Sequence, residues 1–244
     1  MYKFSLAKLT NEQKKLRKRI LELSYESKFS HLGSCLSAVD LIDAVYKLKE
    51  KDEKFVLSNG HAGIAWYAVL EKHRYFKNSK QIKKLNIHPD RNIKYDIHVS
   101  TGSLGQGLPI ALGMALADRR KNIYCMLSDG ECAEGSIWEA FRVAKEKKVH
   151  NLKIIINANG WGAYDKVNLA NLIKRIKGFG YAVSTVNGHD SKKILNSLKK
   201  SPRKKLSVLF AHTSVEQFPF LKGQDAHYYI LKESDYRLGI DSLI

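Results

Sequence analysis

Two oxygen-bearing side chains, Asp129 and Asn159, each follow a short apolar run: residues 123–127 before Ser128-Asp129-Gly130-Glu131, and residues 152–156 before Asn157-Ala158-Asn159. Apolar runs of this length read as strands of a parallel sheet, buried on both faces. Residues 136–148 between them have helical character, so the stretch reads as a βαβ unit with both polar residues at carboxyl strand ends. Ligands of parallel sheets bind at that edge. A hard cation such as Mg2+ takes oxygen donors in octahedral geometry, one or two of them from protein and others from phosphate. Asp129 brings the charge, the Asn159 amide a neutral oxygen, and a backbone carbonyl near Trp161 a third donor. Gly130 lets the backbone approach a phosphate, and the N-terminus of the next helix favours the anion. Asp-Gly-Glu alone is most often a plain turn; the second strand, Asn159 and the intervening helix are what favour a metal site.

The elements that must carry this unit are visible on either side. Thr10 and Gln13 form a capping-box pattern, opening an amphipathic helix through Leu16, Ile20 and Leu23 that ends near Ser24. Residues 36–48 read as a second helix, with Ser37 or Asp40 near its start and Leu41, Ile42, Val45 and Tyr46 on the buried side. Residues 55–57 read as a strand, 62–73 and 107–119 as helices, and 76–96 as a polar, irregular surface excursion. Later strands are expected at 181–183 and 206–210, with a helix at 190–199 between them. Strands alternating with helices predict an α/β fold: a doubly wound, mostly parallel sheet flanked by helices.

The bulk numbers bound the possibilities. The 244 residues, 44% hydrophobic and with only 4 Pro, suit one core without a flexible linker, so residues 1–244 are expected to form a single domain. No run approaches the roughly 20 apolar residues of a membrane span, and the start lacks the apolar core of a signal peptide. Cys35, Cys125 and Cys132 have neither ligand nor disulfide-framework spacing, which suits a reducing compartment. A cytoplasmic protein without membrane association is expected. The net charge of +18 would fit a polyanion, but the basic residues are dispersed and lack the interleaved aromatics of a stacking platform. They read as solvated helix faces, with an acidic partner chain as the second reading and nucleic acid not expected.

Several motifs together resemble one family. Ser128-Asp129-Gly130-Glu131, Ala133-Glu134-Gly135 and Asn157-Ala158-Asn159 resemble the Gly-Asp-Gly…Asn signature of thiamine-diphosphate enzymes in its transketolase form. Ser30-His31-Leu32-Gly33 followed by Leu36-Ser37-Ala38-Val39-Asp40 resembles the family's Gly-His-Pro-Gly segment, and Phe55-Val56-Leu57-Ser58-Asn59-Gly60-His61-Ala62 its Ser-Asn-Gly-His-Ala segment. His88-Pro89 and Ser100-Thr101-Gly102-Ser103-Leu104-Gly105-Gln106-Gly107 follow in the family's order, so the likeness spans roughly residues 10–213.

The resemblance to the N-terminal, diphosphate-binding (PP) part of transketolases implies the thiamin-diphosphate-binding fold, thiamine diphosphate and Mg2+ as cofactors, and transfer of a two-carbon ketol unit from a ketose to an aldose. It implies that His31, His61, His88 and, by a looser match, His227 polarise or deprotonate sugar oxygens, a task neutral imidazole suits near pH 7. It places Gly102, Ser103 and Leu104 at the aminopyrimidine, and His61, Gly130, Glu131, Asn159 and His212 elsewhere on the cofactor. Asp129, Asn159 and the Trp161 carbonyl fall at the metal, with the Trp161 indole a packing group. Glu134 and Glu139 match acidic positions near the family's dimer interface, or else are helix-start carboxylates favoured by the macrodipole. His98, His150 and His189 have no such support and are expected at the surface.

The likeness weakens past Ala211-His212-Thr213. The family continues there with Lys-Gly-Lys-Gly and a Trp-His pair, whereas this chain has Ser214-Val215-Glu216-Gln217-Phe218-Pro219-Phe220 and then Ala226-His227-Tyr228. Leu32 stands for Pro, and Ser128 for Gly. The family's pyrimidine and C-terminal domains have no counterpart in the sequence. The glutamate that activates the cofactor is therefore expected on a separate partner subunit, in an assembly with two of each chain, acting on a sugar or sugar phosphate. A 1-deoxyxylulose-5-phosphate-synthase-like or 2-oxoacid-decarboxylating subunit is the alternative enzyme, although His88-Pro89 and Thr101-Gly102-Ser103-Leu104 favour ketol transfer. A catalytically silent interaction module is the alternative of another class; such a scaffold has no physical need of Asp129, Asn159, His31 or His61.

Overall fold

The computed structural model describes residues 4–77, 79–200 and 205–244. Strands β1 (Lys54–Leu57), β2 (Ile123–Ser128), β3 (Leu152–Ala158), β4 (Ala182–Asn187) and β5 (Ser207–His212) form one sheet in the order β1-β2-β3-β5-β4, every pair parallel. The helices are α1 (Asn11–Ser27), α2 (Leu32–Leu48), α3 (Gly63–Lys72), α4 (Gly107–Ala117), α5 (Gly135–Glu146), α6 (Leu169–Gly178), α7 (Ser191–Lys199) and α8 (Glu233–Asp241).

Successive strand side chains point to opposite faces, and both faces here are covered. Phe55, Leu57, Tyr124, Met126, Ile155 and Leu209 enter a core shared with α1, α2, α3 and α7. Val56, Cys125, Leu127, Ile154, Ile156 and Phe210 enter a second core with α4, α5 and α6. This is the doubly wound α/β sheet expected from the sequence, and its three cysteines are buried and free. No helix among the described residues is long and apolar enough to cross a membrane.

Several boundaries differ from expectation. The capping box is present, with Gln13 N donating to Thr10 Oγ1 at 3.3 Å and Thr10 N to Gln13 Oε1 at 3.1 Å. α1 nevertheless continues past Ser24 to Ser27, where Lys28 ends it in the left-handed region. α2 begins at Leu32 rather than at 36. His31, itself left-handed with φ 66°, precedes it without a side-chain cap. Residues 32–46 are buried on every side, so neither a cap nor amphipathic periodicity marks the first turn. α6 and α8 were not expected; α6 is capped by Asn168, whose Oδ1 accepts from Asn171 N at 3.0 Å. The 76–96 excursion is irregular as expected but anchored, with Phe76 and Ile82 in the core.

His189 is not at the surface. Its side chain is 8% exposed and lies 2.9 Å from Asp40 Oδ2 through Nδ1, while Nε2 accepts from Ser214 N at 3.0 Å. The ring is therefore neutral, with its proton on Nδ1. Asp40 also receives both terminal nitrogens of the fully buried Arg17, at 2.6 and 3.1 Å, and Arg17 Nε donates to Gln217 Oε1 at 2.7 Å. Burial alone would raise the Asp40 pKa, but Arg17 and His189 outweigh it and hold the carboxyl well below the usual range. His98 pairs with Asp96 at 3.1 Å and is only 17% exposed, and His150 is half-buried. The three histidines without motif support are thus all more enclosed than the polar context around them suggested.

The Arg17–Asp40–His189–Gln217 network joins α1, α2, the end of β4 and the segment after β5. Arg17→Ala would leave a buried carboxylate unpaired and is expected to cost about 3–5 kcal/mol in urea unfolding at pH 7. Because the folded Asp40 pKa is depressed, its contribution is present above the unfolded value of about 3.9 and is lost as pH falls. The variant should accordingly lose less stability than the parent between about pH 5 and 3.

Candidate active site

The site forms at the carboxyl ends of β1, β2 and β3. Parallel register sets Ser128 opposite Asn157, and Asp129 N donates to Asn157 O at 3.2 Å, so Asp129 and Asn159 emerge on the same edge. Asn157 is occupied: its Nδ2 donates to Ser37 Oγ at 2.9 Å and its Oδ1 accepts from Thr213 Oγ1 at 2.6 Å. Asn159 uses its Oδ1 to accept from Trp161 N at 2.9 Å. Asp129 is 1% exposed; its Oδ2 accepts from Gly160 N at 2.6 Å, and its Oδ1 is buried without a partner. Burial pushes this carboxyl up to about 7. A Cβ on Gly130 would lie 2.8 Å from Gly162 Cα and 3.3 Å from the Trp161 carbonyl oxygen, so only glycine lets the two loops meet there.

An orphaned buried carboxylate oxygen calls for a ligand. The same two loops carry a carboxylate, an amide oxygen and a peptide carbonyl, a set of oxygens suited to a hard cation. Among the described residues no three His, Cys, Asp or Glu side chains gather as a metal cluster. A cation held by so few protein oxygens would need phosphate or water to complete its shell.

Beside the clasp lies a cavity of about 190 Å³ walled by His31, His61, His88 and His227. Gly102, Leu104, Gly130, Glu131, Asn159 and Trp161 complete much of its lining. Asp129 borders a smaller adjoining cavity instead, with Gly130 common to both. Ser103 is exposed and hydrogen-bonded to Gln106, and His212, half-buried at the end of β5, packs edge-on to Phe210. Neither of these two borders the cavity, unlike the other residues expected at the cofactor.

The imidazoles are close: ring centroids lie 5.2 Å apart for His31–His61, 6.3 Å for His31–His88 and 6.4 Å for His61–His227. Burial, then mutual repulsion with neighbouring imidazoles, pushes His61 down to about 3 and His31 down to about 4. Both are neutral near pH 7, and His31 Nδ1 is buried without a partner. His88 packs against Gly102, where φ is 145° and an added Cβ would lie 2.8 Å from the His88 ring, so a side chain is excluded. His227 arrives from the turn Gly223–His227. His31 N donates to its carbonyl at 2.8 Å, and its Nδ1 lies 2.7 Å from Ser34 Oγ. The loosely matched segment thus brings His227 to the same cavity as the three histidines in firmer motifs.

Glu131 is fully buried. Its Oε1 accepts from Ser58 Oγ at 2.6 Å and Gly105 N at 2.8 Å, its Oε2 has no partner, and burial pushes it up to about 7. The carboxyl therefore ties the end of β1 and the 101–107 turn to the clasp. Glu134 and Glu139 are exposed, the latter paired with Arg142, and neither lines the cavity. The Trp161 indole packs against the core as expected. Sequence patterns did not single out Ser34 or Tyr228, which also line the cavity; Ser34 lies in the first turn of α2, and Tyr228 depends on long-range packing of the 223–228 segment, which no local pattern encodes.

Comparison with known proteins agrees with this geometry. Residues 26–237 match the sequence family described as "Transketolase, thiamine diphosphate binding domain". The chain is 32% identical to one of the subunits of the apulose-4-phosphate transketolase of Phocaeicola vulgatus, over 83% of this chain and 81% of that one. It is also 32% identical to the 6-deoxy-6-sulfo-D-fructose transketolase subunit SqwG of a Clostridium species, over 80% of each. Crystal structures of transketolases from Pichia stipitis and Campylobacter jejuni superpose with TM-scores of 0.82 and 0.81, at 23% and 24% identity, covering 98% and 96% of this chain but 40% and 42% of theirs. Those structures share the fold. The matched family and the 32%-identical relatives go further: this chain belongs to the transketolase family and matches its thiamine diphosphate binding domain.

Proposed function

We propose that the chain is a single PP-type domain forming the diphosphate-binding half of a two-chain cytoplasmic transketolase. A separate subunit would supply the pyrimidine domain and the activating glutamate, in an assembly with two of each chain. Relatives of similar length are named as transketolase subunits, which supports division of the enzyme between chains. The observation that carries the proposal is the buried, unpartnered Oδ1 of Asp129 beside Asn159 and the Trp161 carbonyl.

In this proposal Asp129, Asn159 and the Trp161 carbonyl hold Mg2+, while Gly130 gives the diphosphate room against the backbone. Gly102 and Leu104 face the aminopyrimidine side. Bound thiamine diphosphate supplies the nucleophilic carbon at which a ketose is cleaved. The chain's own contribution is to orient the sugar and handle its protons. His31, His61, His88 and His227 surround one small space, and with His31 and His61 held neutral they can accept a hydrogen bond from a sugar hydroxyl or donate one to its oxygen. Glu131 fixes the loops that carry these rings. No Lys or Arg is on the cavity wall among the described residues, so a substrate phosphate would be held by the partner subunit.

Two measurements on Asp129 test the proposal from opposite sides. In the reconstituted two-chain complex, Asp129→Ala should lower magnesium–thiamine diphosphate affinity at least ~100-fold by calorimetry, the scale of losing a charged metal ligand; unchanged affinity would sink the proposal. In the metal-free chain, Asp129→Asn should instead stabilise. A carboxyl whose folded pKa is raised to about 7 destabilises increasingly as pH rises from its unfolded value toward that pKa. Removing it should add about 1–3 kcal/mol to urea-unfolding stability at pH 8 and abolish that part of the pH slope.

A further inference from the structure

Tyr228 stands at the mouth of the histidine cavity, where ketol transfer does not itself require an aromatic ring. The residue is 54% exposed, yet its side chain is hydrogen-bonded in place. Its hydroxyl donates to the Ala163 carbonyl at 3.0 Å, and Gln224 Nε2 donates to the same oxygen at 2.6 Å. The residue before it is anchored too, through the His31 N–H on the His227 carbonyl. On the far flank a Cβ at Gly223 would meet the Trp161 ring at 2.9 Å, so the 223–228 segment lies directly against the loop that carries the Trp161 carbonyl. The Tyr228 and His31 rings, 6.1 Å apart and tilted by 50°, form two sides of the opening. Between them the lining holds imidazoles, amides and a carboxyl but, among the described residues, none of the chain's 42 Lys and Arg side chains.

We propose that Tyr228 is a specificity-determining residue whose ring face supports the uncharged polyol portion of the sugar substrate, distal to the reacting carbon. The assignment of the distal end rests on the ketol-transfer function proposed above. Each carbon of an open-chain sugar carries C–H as well as hydroxyl groups, so its site pairs apolar surface for the C–H groups with a few polar groups for the hydroxyls. A rigid aromatic ring supplies that surface at little entropic cost, with its polar end already satisfied. Because the hydroxyl is committed to Ala163, the ring acts as a wall that does not swing aside. A wall without cations accepts a sugar by shape and length rather than by charge.

The test uses ribitol, an unreactive five-carbon polyol, with the full chain loaded with magnesium and thiamine diphosphate and joined to its partner subunit. Saturating the aromatic protons should transfer magnetisation to the carbon-bound protons of ribitol. Tyr228→Phe should retain most of this transfer, and Tyr228→Ala should reduce it about 3–10-fold, the size of a lost aromatic contact. Cofactor affinity should stay within about two-fold in both variants, since the ring supplies none of the oxygens proposed for the metal site. Equal transfer in Tyr228→Ala and the parent, or no transfer in the parent, would overturn the proposal. A complex that shows the Tyr228-dependent transfer yet cleaves no ketose would defeat the ketol-transfer function and leave this contact standing. Ketose cleavage with unchanged transfer in Tyr228→Ala would do the reverse.

Discussion

The parallel pairing of β2 with β3, Ser128 against Asn157, sets the height at which two loops leave the sheet, and the site depends on that height. The first polar residue past β2, Asp129, and the second past Asn157, Asn159, come to the same edge. Asn157 itself is consumed by Ser37 and Thr213, which pins the end of β3 to α2 and to the segment after β5. Among the buried polar atoms left without a hydrogen-bond partner at this edge is Oδ1 of Asp129. Such an atom is costly in an empty fold, and two cores built on opposite sheet faces provide the stability that tolerates it.

The histidine cavity inherits its shape from the same edge. His61 follows β1, His31 precedes α2 in a left-handed conformation, and His88 packs against the glycine at 102. Burial and crowding keep His31 and His61 uncharged, so these two rings face the cavity as neutral hydrogen-bonding groups. Such groups suit a sugar held through its hydroxyls. Glu131 links the parts, because one oxygen receives groups from two different loops. The buried Arg17–Asp40–His189–Gln217 network performs the corresponding task behind the cavity, fixing the segment that leads to His227.

Much of this was legible in the residues because the signals are local. The apolar runs of β2 and β3, the Thr10–Gln13 capping box and the polar residues at strand ends are each read within a few positions. The start of α2 was not legible, since a helix buried all round offers no periodic face and His31 is an unusual residue to precede one. The helix α6 was missed although Asn168 caps it. His189 looked like a surface residue because its partners, Asp40 and Ser214, are distant in sequence and meet it only through tertiary packing. His227 was legible only faintly, and Tyr228 not at all, since their positions follow from how the 223–228 segment lies on α2 and on the loop after β3. Ser103 and His212 sit in the expected motifs but outside the cavity: a motif locates a turn more reliably than it orients each side chain within it.

The proposed function rests on one physical claim, that Asp129, Asn159 and the Trp161 carbonyl would hold a cation and, through it, a diphosphate. Replacing magnesium with manganese makes that claim directly visible. Crystals of the chain with its partner subunit, grown with Mn2+ and thiamine diphosphate, should show one anomalous peak within about 2.0–2.4 Å of an Asp129 oxygen, the Asn159 amide oxygen and the Trp161 carbonyl, at octahedral metal–oxygen distances. Manganese bound elsewhere, or cofactor bound with no metal between its diphosphate and Asp129, would contradict the account.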